Sequence, residues 1–460
     1  MILRGDSLSV LRTLPDNSVQ CVVTSPPYWA LRRYDIPDVV FDGDPACEHD
    51  WRGFIRKGKS GGLDQSVDYT QHQVVPDQQQ QQQCMKCSAW RGQLGQEPTP
   101  DLFIAHMVEI FRDVRRVLRL DGTCWLNMGD CYAQSGMGGN PAESAYRKQA
   151  TNVGSLIPGR KAPEGLKPKD LVGIPWMLAF ALRADGWYLR AENIWAKGLS
   201  FCESYAGSVM PESVTDRPTR SHEQVFLLTK AERYFYDHEA VKETGVYPAG
   251  TRAAKGSGTR EGNRRGTKGH SLKAAGDRND GDRPNADGGI GYANYDGTRN
   301  LRTVWAIGVE PFNEAHFATF PPDLVIPCLK AGTSAKGACA ACGAPWKRVV
   351  DYAPMPDDIK AQFEAARART GEDHGRDDGF TTRRPNYQRK RLGESWAQTC
   401  ECGTADVVPC VVMDPFAGSG TVGVACELMR LTFTGIDLGY HDISDRRVGS
   451  VAPLFAEHSV

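Results

Sequence analysis

An α/β fold built on a doubly wound mixed sheet is what this 460-residue sequence predicts, and three stretches carry the prediction. Val19 to Val23 is an apolar run of strand length, closed by Pro26 and Pro27, which fix φ and donate nothing to a ladder. Val411 to Met413 is a second such run. It enters Asp414, a turn with glycines at 418 and 420, a helix from about Val422 to Met429, and a third run, Leu431 to Ile436, that ends in Asp437. Between these ends, apolar residues recur at helical spacing from Leu102 to Leu118 and lead into the unbroken run Thr123 to Met128. Strands alternating with helices in this way belong to a mainly parallel sheet wrapped by helices.

Taken in order, residues 1–35 read as a βαβ-like opening in which Asp6 ends a short strand and is placed to cap the helix Ser7 to Leu14. Residues 36–98 read as an insertion holding Cys47-x-His49, a glutamine run at Gln78–Gln83 and Cys84-x-x-Cys87. The Cys-x-x-Cys knuckle offers two thiolates to one tetrahedral ion, and Cys47 and His49 would supply the other two ligands. A structural zinc is therefore expected, with Trp51 and Trp90 packing around it; the bland alternative is four unrelated side chains in a loop. Thr99-Pro100-Asp101 is a helix start, with a cap residue and proline at the first position. Gly122 is expected to end that helix ahead of the strand Thr123–Met128. Asp130, at the carboxyl end of that strand, is either a site residue or a turn residue.

Residues 135–169 are rich in Gly, Pro, Lys and Arg and read as a mobile loop near the site. Asp170 to Arg183 reads as a helix, and Tyr188–Ala196 and Glu223–Thr229 alternate like paired strands. Lys197, Arg217 and Arg220 beside them are candidate phosphate contacts. Residues 241–300 carry Arg252, Lys255, Arg260, Arg264, Arg265, Lys268 and Lys273 with few aliphatics. Such a stretch buries no core and serves either as a plain linker or as a basic segment that orders on a phosphate backbone. In 301–337, a run from His316 through Phe320 and Pro321 leads into a helix opened by Pro322. Residues 338–409 hold Cys339-x-x-Cys342 and Cys400-x-Cys402, with Gly343 allowing the tight turn of a knuckle. This is the stronger zinc candidate, and a four-ligand site has no open position, so neither zinc would be catalytic. The charged link Pro354–Ser395 within it adds Arg383, Arg384, Arg389, Lys390 and Arg391.

Two of these stretches carry chemistry. Thr24-Ser25-Pro26-Pro27-Tyr28-Trp29 is a stiff, extended segment that offers a hydroxyl, free carbonyls and an aromatic ring. That set suits a planar base with an exocyclic NH2: two acceptors take its two protons while the ring stacks. The stretch Asp414-Pro415-Phe416-Ala417-Gly418-Ser419-Gly420-Thr421 lets the backbone approach a ligand at a helix N-terminus, and Asp437 stands where nucleotide-binding α/β folds place their ribose acceptor. No Gly-Lys-Ser/Thr follows the turn, which excludes a phosphate-binding loop of that type.

Together these motifs resemble the amino-methylating DNA methyltransferases. Thr24 to Tyr28 is similar to their catalytic motif and Asp414 to Thr421 to their S-adenosylmethionine loop. The catalytic motif comes first, the order of the permuted beta group of that family, and Gly5-Asp6-Ser7-Leu8 resembles its usual lead-in. The resemblance implies the Rossmann-like sheet of the S-adenosylmethionine-dependent methyltransferases, circularly permuted, here with zinc-binding insertions. It implies a catalytic half in 1–35 and 99–240, a cofactor half in 301–337 and 410–445, and target recognition in 241–300. Ser25 and the Pro26 carbonyl would hold the amino protons, with Pro27 stiffening the segment and Tyr28 stacking on a flipped base. Asp6, Phe320, Pro321, Asp414, Pro415, Phe416, Gly418, Ser419, Gly420, Thr421 and Asp437 would surround S-adenosylmethionine. Serine at position 25, where aspartate is commoner, resembles the cytosine-N4 branch; adenine N6 is the alternative. Other classes are a zinc-containing DNA-binding protein without turnover and a small-molecule or protein methyltransferase. The implied partners are double-stranded DNA and a cognate restriction endonuclease.

Composition sets the remaining bounds. Hydrophobic content of 40% and charged content of 24% fit a globular protein in water. The formal net charge of −1 means that a polyanion must be met by a local basic patch. No apolar run approaches membrane-spanning length, and Met1-Ile-Leu-Arg-Gly-Asp lacks a secretory pattern. A cytoplasmic protein, bacterial or phage-encoded, is expected, its 14 cysteines serving as thiols or metal ligands.

Overall fold

The computed structural model describes residues 1–51 (without 32, 35 and 45), 82–133, 162–245 (without 164, 206, 210, 211 and 213), 297–310, 319–361, 364 and 391–451. The glutamine run as far as 81, most of the 135–169 loop, the basic residues from Arg252 to Lys273, His316, and the cluster Arg383 to Lys390 lie outside the described residues. Two compact units are distinguished. One comprises Met1–Ala240, Arg302–Lys347 and Gln398–Val460; the other comprises Val241–Leu301 and Arg348–Ala397.

In the first unit the strands are β1 (Ile2–Arg4), β2 (Val19–Thr24), β3 (Val39–Phe41), β4 (Trp90–Gly92), β5 (Leu118–Met128), β6 (Tyr188–Ala196) and β7 (His222–Thr229). The second unit adds β8 (Glu243–Thr244) and β9 (Thr298–Arg299), which pair with each other. Next come β10 (Val304–Ala306), β11 (Ala338–Cys339), the paired β12 (Lys347–Tyr352) and β13 (Arg391–Ala397), then β14 (Val407–Val408), β15 (Val411–Asp414) and β16 (Thr432–Asp437). The helices are α1 (Ser7–Leu11), α2 (Pro100–Val117), α3 (Ile174–Ala184), α4 (Pro322–Gly332), α5 (Thr421–Leu428) and α6 (His441–Gly449).

An eight-stranded sheet in the order β1-β16-β15-β2-β5-β7-β6-β10 forms the body of the first unit. All pairings are parallel except that β7 runs antiparallel to both β5 and β6. The N-terminal strand and the last strand are neighbours, with the Met1 amino group donating to the Phe433 carbonyl at 2.9 Å. β2 is central and buried at every position, which is why it reads as a continuous apolar run instead of an alternating one. α2 covers one face. Its Phe103, Met107, Phe111, Val114 and Val117 are fully buried against α1, α3 and the sheet, and Trp187 meets Phe111 edge-on at 6.3 Å. α4 covers the other face, where Gly332 lies so close to Cys21 and Thr123 that a Cβ would come within 2.8 Å of the first and 2.4 Å of the second.

Some boundaries differ from expectation. α2 is capped by the Thr99 hydroxyl, which accepts from the Leu102 N–H at 3.2 Å, but it stops at Val117 and not at Gly122. Leu118 already pairs with Val19, and residues 119–122 form an excursion before Thr123 pairs with Cys21. The Arg119–Asp121 ion pair at 2.8 Å holds the excursion. Gly122 is needed for space, because a Cβ there would stand 2.9 Å from the Gln20 carbonyl oxygen. α3 begins at Ile174 instead of Asp170: Gly173 takes φ +86° and Pro175 fits the first turn. Trp51 does lie beside His49, at 4.9 Å between rings, but Trp90 packs into the main core against Phe41 and His106 instead of around the first cysteine cluster.

Candidate active site

β7 decides which residues meet. Because it runs against its neighbours, its first residues lie at the edge where the parallel strands end. Thr24 pairs with Leu126, which brings Ser25 abreast of Asn127, and Asn127 pairs with Val225. Glu223, two residues before Val225 and therefore on the same face, pairs with Trp195 just ahead of Lys197. Five side chains from four places in the sequence thus share one corner.

Their polar atoms are joined. The Tyr28 phenol donates to Glu223 Oε2 at 2.6 Å and lies 3.2 Å from Ser25 Oγ. Asn127 Nδ2 reaches Glu223 Oε2 at 2.9 Å, the Tyr28 oxygen at 2.9 Å and Ser25 Oγ at 3.3 Å. Glu223 fixes the amide orientation, since a carboxylate there requires the NH2 side. Asn127 Oδ1 is then buried without a hydrogen-bond partner among the described residues. Lys197 Nζ closes the chain on Glu223 Oε1 and also lies over the Trp195 ring at 4.5 Å. Burial and the Glu223 carboxylate hold the Tyr28 phenol well above its ordinary pKa. Against the upward push of burial, the Lys197 ammonium keeps the Glu223 carboxyl below its own. The Tyr28 ring rests on Gly129, where a Cβ would fall 2.5 Å from Cε2.

This corner opens into a cleft of about 570 Å3. Ser25, Pro26, Pro27 and Tyr28 line it at one end. Asp6, Phe416, Gly418, Ser419, Asp437 and Phe320 line it at the other, with Pro415 and Thr421. Three of the expected cofactor residues do not line it. Gly420 is turned inward at φ +78°, against Ser444, and Pro321 caps α4. Asp414 is 1% exposed beneath the cleft floor, where it accepts from the Thr24 hydroxyl at 2.6 Å and the Phe416 N–H at 3.0 Å. It thereby locks the catalytic strand to the glycine turn. Burial lifts its carboxyl to about 7.

Asp437 accepts from the backbone N–H groups of Gly418 (2.9 Å), Gly439 (2.8 Å) and Tyr440. It organises the turn as well as facing the cleft, and burial raises its carboxyl. Asp6 likewise does two things, capping α1 through the Ser9 N–H at 2.9 Å and lining the cleft. Arg447 from α6 holds Ser419 Oγ at 2.8 Å and Thr421 Oγ1 at 3.0 Å. A turn with left-handed glycines at 418 and 420, carboxylates beside it and a helix starting at Thr421 has the donors, acceptors and charge that a cationic adenosyl cofactor requires.

The basic candidates are otherwise engaged. Arg217 stacks on Tyr132 at 3.8 Å and pairs with Glu212, Arg220 faces Asp130 at 3.7 Å, and Lys197 is inside the cleft corner. Asp130 proves to be a helix cap, its Oδ1 accepting from the N–H groups of Gly173 at 2.9 Å and Ile174 at 3.1 Å. Asn127 and Glu223 were not anticipated as site residues. For Asn127 the available signal was a polar side chain inside the run Thr123–Met128; for Glu223 it was the stretch Arg220-Ser221-His222-Glu223-Gln224, which resembles a late block of the methyltransferase family.

Both cysteine groups come together, with each set of four ligand atoms within 4.8 Å of one another: Cys47, His49, Cys84 and Cys87, and Cys339, Cys342, Cys400 and Cys402. The first hangs on the β3–β4 hairpin, whose Val39 and Phe41 form a wall of the cleft. The second is tied to the opposite edge of the sheet, where Gln20 Nε2 donates to the Gly343 carbonyl at 2.8 Å and Arg119 to the Cys342 carbonyl. The N–H groups of Cys342 and Ala341 lower the Cys339 thiol to about 7.

Residues 19–340 match the family model described as DNA methylase, of the N6/N4 type. The chain is 36% identical over 449 residues to the type II methyltransferase M.Cfr9I of Citrobacter freundii, covering 97% of this chain and 87% of that protein. It is also 36% identical to M.XycI of Xanthomonas campestris pv. cyanopsidis over 72% of each chain, and 34% identical to M.SmaI of Serratia marcescens over 73% of this chain and 76% of that one. With its catalytic motif ahead of its cofactor turn, the chain belongs to the permuted beta class of the amino DNA methyltransferases, enzymes that move a methyl group from S-adenosylmethionine to an exocyclic amino group in DNA.

Proposed function

We propose that the enzyme methylates N4 of cytosine in double-stranded DNA after flipping the base into the cleft. The observation that carries this reading is the neutral acceptor set at the motif. A serine hydroxyl stands at position 25, steadied by Asn127 Nδ2, and Asn127 Oδ1 is a further buried acceptor beside it. Ser25 Oγ and the Pro26 carbonyl take the two amino protons, which draws the nitrogen towards tetrahedral geometry and frees its lone pair. Pro26 and Pro27 hold that geometry rigid, and the Tyr28 ring, backed by Gly129, stacks on the base. S-adenosylmethionine, when bound, supplies an electrophilic methyl carbon. Asp6, Phe320, Phe416, Gly418, Ser419 and Asp437 contact it, while Asp414, Gly420 and Pro321 shape its site from behind. Each four-ligand group holds one structural zinc, the first bracing the cleft wall and the second pinning the far edge of the sheet. Residues 241–300 read the target sequence. As the relatives are type II methyltransferases, a cognate restriction endonuclease is the expected partner.

The test is expression in a host without methylation of its own, followed by mass spectrometry of the DNA nucleosides. N4-methylcytosine is expected. N6-methyladenine would move the enzyme to the other branch of its family.

A further inference from the structure

We infer that Glu223 is the terminal proton acceptor of the reaction, reached from the target amino group through the Ser25 hydroxyl and the Tyr28 phenol. The inference rests on the reading that the amino group sits on Ser25.

The chemistry requires such an acceptor. As the amino nitrogen bonds to the methyl carbon, the carbon's bond to sulfur breaks and the sulfonium charge passes to nitrogen. The nitrogen then carries one proton too many. The site is half enclosed, and the proton needs a route out. Ser25 Oγ accepts it while the serine's own proton passes to the Tyr28 oxygen 3.2 Å away, and the phenol proton passes to Glu223 Oε2 at 2.6 Å. The sum is a methylated amine, a neutral thioether and a neutral Glu223, with Ser25 and Tyr28 restored. Asn127 Nδ2 touches all three oxygens and holds them in line.

Of the other carboxylates that line the cleft among the described residues, Asp437 is committed to three backbone N–H groups, Asp6 caps α1, Glu212 pairs with Arg217 and Glu310 acts on Arg447; Asp414 lies beneath the floor. Lys197 suits the role as well. It lowers the Glu223 carboxyl, so the carboxylate is ionised before reaction and returns its proton readily afterwards. A weak base is sufficient, because an ammonium conjugated to a base ring is a far stronger acid than a carboxylic acid.

The groups acting on Glu223 are Lys197 beyond the end of β6, Tyr28 beyond β2, Asn127 in β5 and His222 at the start of β7; Tyr34 acts on Tyr28, and Arg220 on His222. His222 is itself titratable, and burial lowers it. The methyl-transfer rate should therefore fall as pH drops through the lowered Glu223 value, and a Glu223→Gln enzyme should lack that acid limb while His222→Gln retains it.

The experiment uses the full chain with a target duplex under single-turnover conditions. Glu223→Gln and Tyr28→Phe should each slow transfer by about 100-fold or more. The double variant should be no slower than either single one, because a relay broken once is broken. Binding of S-adenosylhomocysteine and of the duplex should be unchanged. Independently of activity, ultraviolet titration of tyrosine, with Tyr28→Phe as the blank, should show Tyr28 ionising at lower pH once Glu223 is neutral. Losses that multiply in the double variant, losses explained by weaker binding, or an unchanged Tyr28 titration would overturn the relay. Should Glu223→Gln fail to fold with Lys197 left unpaired, Tyr28→Phe keeps that ion pair and decides the matter alone: a wild-type rate refutes the relay. A wild-type enzyme that leaves the exocyclic amine unmethylated overturns the reading beneath; one that methylates it while both variants keep pace overturns the relay only.

Discussion

Ser25 and Asp414 lie at the ends of adjoining strands, yet one lines the cleft and the other is buried, and substitutions should separate the two roles. Ser25→Ala removes an acceptor for the amino group and should slow single-turnover transfer on the order of 100-fold while S-adenosylhomocysteine still binds, as calorimetry would show. Asp414→Asn keeps an oxygen for the Thr24 hydroxyl and the Phe416 N–H but cannot ionise. The Asp414 carboxyl is raised to about 7 by burial, so the wild-type fold gains from the proton at low pH and loses that gain as pH rises from the unfolded carboxylate range to about 7. Denaturant titrations should show Asp414→Asn gaining on wild type by about 4 kcal/mol across that window and levelling off above it. His106 behaves in the same sense, in a higher pH window. It is buried between Glu97 at 3.0 Å and Asp42 at 2.8 Å, and these acceptors raise it despite burial. Its stabilising effect over His106→Gln should be full below the ordinary histidine value and fade as pH climbs through the raised one. Ser25 and Asp414 were legible as motif residues; the inward turn of Asp414 was not, because facing depends on register.

Helices and strands were legible where one face or both are dry. The α2 stripe, its Thr99 cap and the buried β2 follow from spacing alone, and Thr99→Ala should cost about 1 kcal/mol in an unfolding titration. The excursion at 119–122 was not legible, since the need for glycine at 122 comes from the Gln20 carbonyl of the neighbouring strand and the register shift from strand pairing. Nor was the corner built by Asn127 and Glu223: the antiparallel course of β7 is what brings Glu223 to the edge where β5 places Asn127, and that register is not carried by single-strand patterns. The cysteine knuckles were plain from spacing, but their positions came from the fold. Inductively coupled plasma mass spectrometry should find two zinc ions per chain, one for each four-ligand group. Cys342→Ser should lower thermal stability with little effect on single-turnover rate at low temperature, as the second group lies across the sheet from the cleft.

At the scale of the whole molecule, the permutation is visible as adjacency. β1 and β16, from opposite ends of the chain, lie side by side, so that Asp6 and Asp437 flank one mouth of the cleft. The order of motifs in the sequence implied this closure, while the cleft wall supplied by the β3–β4 pair had no sequence signal. The account depends on the serine–proline segment and the glycine turn sharing that cleft. The most direct measurement is a crystal structure of the enzyme with S-adenosylhomocysteine and a target duplex. The account predicts the ribose on Asp437 and the thioether sulfur turned towards Ser25, with the flipped base's amino nitrogen on Ser25 and room for one methyl group between sulfur and nitrogen at a near-attack separation of about 3–3.5 Å from the transferred carbon. A sulfur bound away from the glycine turn, or an amino group held where no methyl passes between the two, would contradict it.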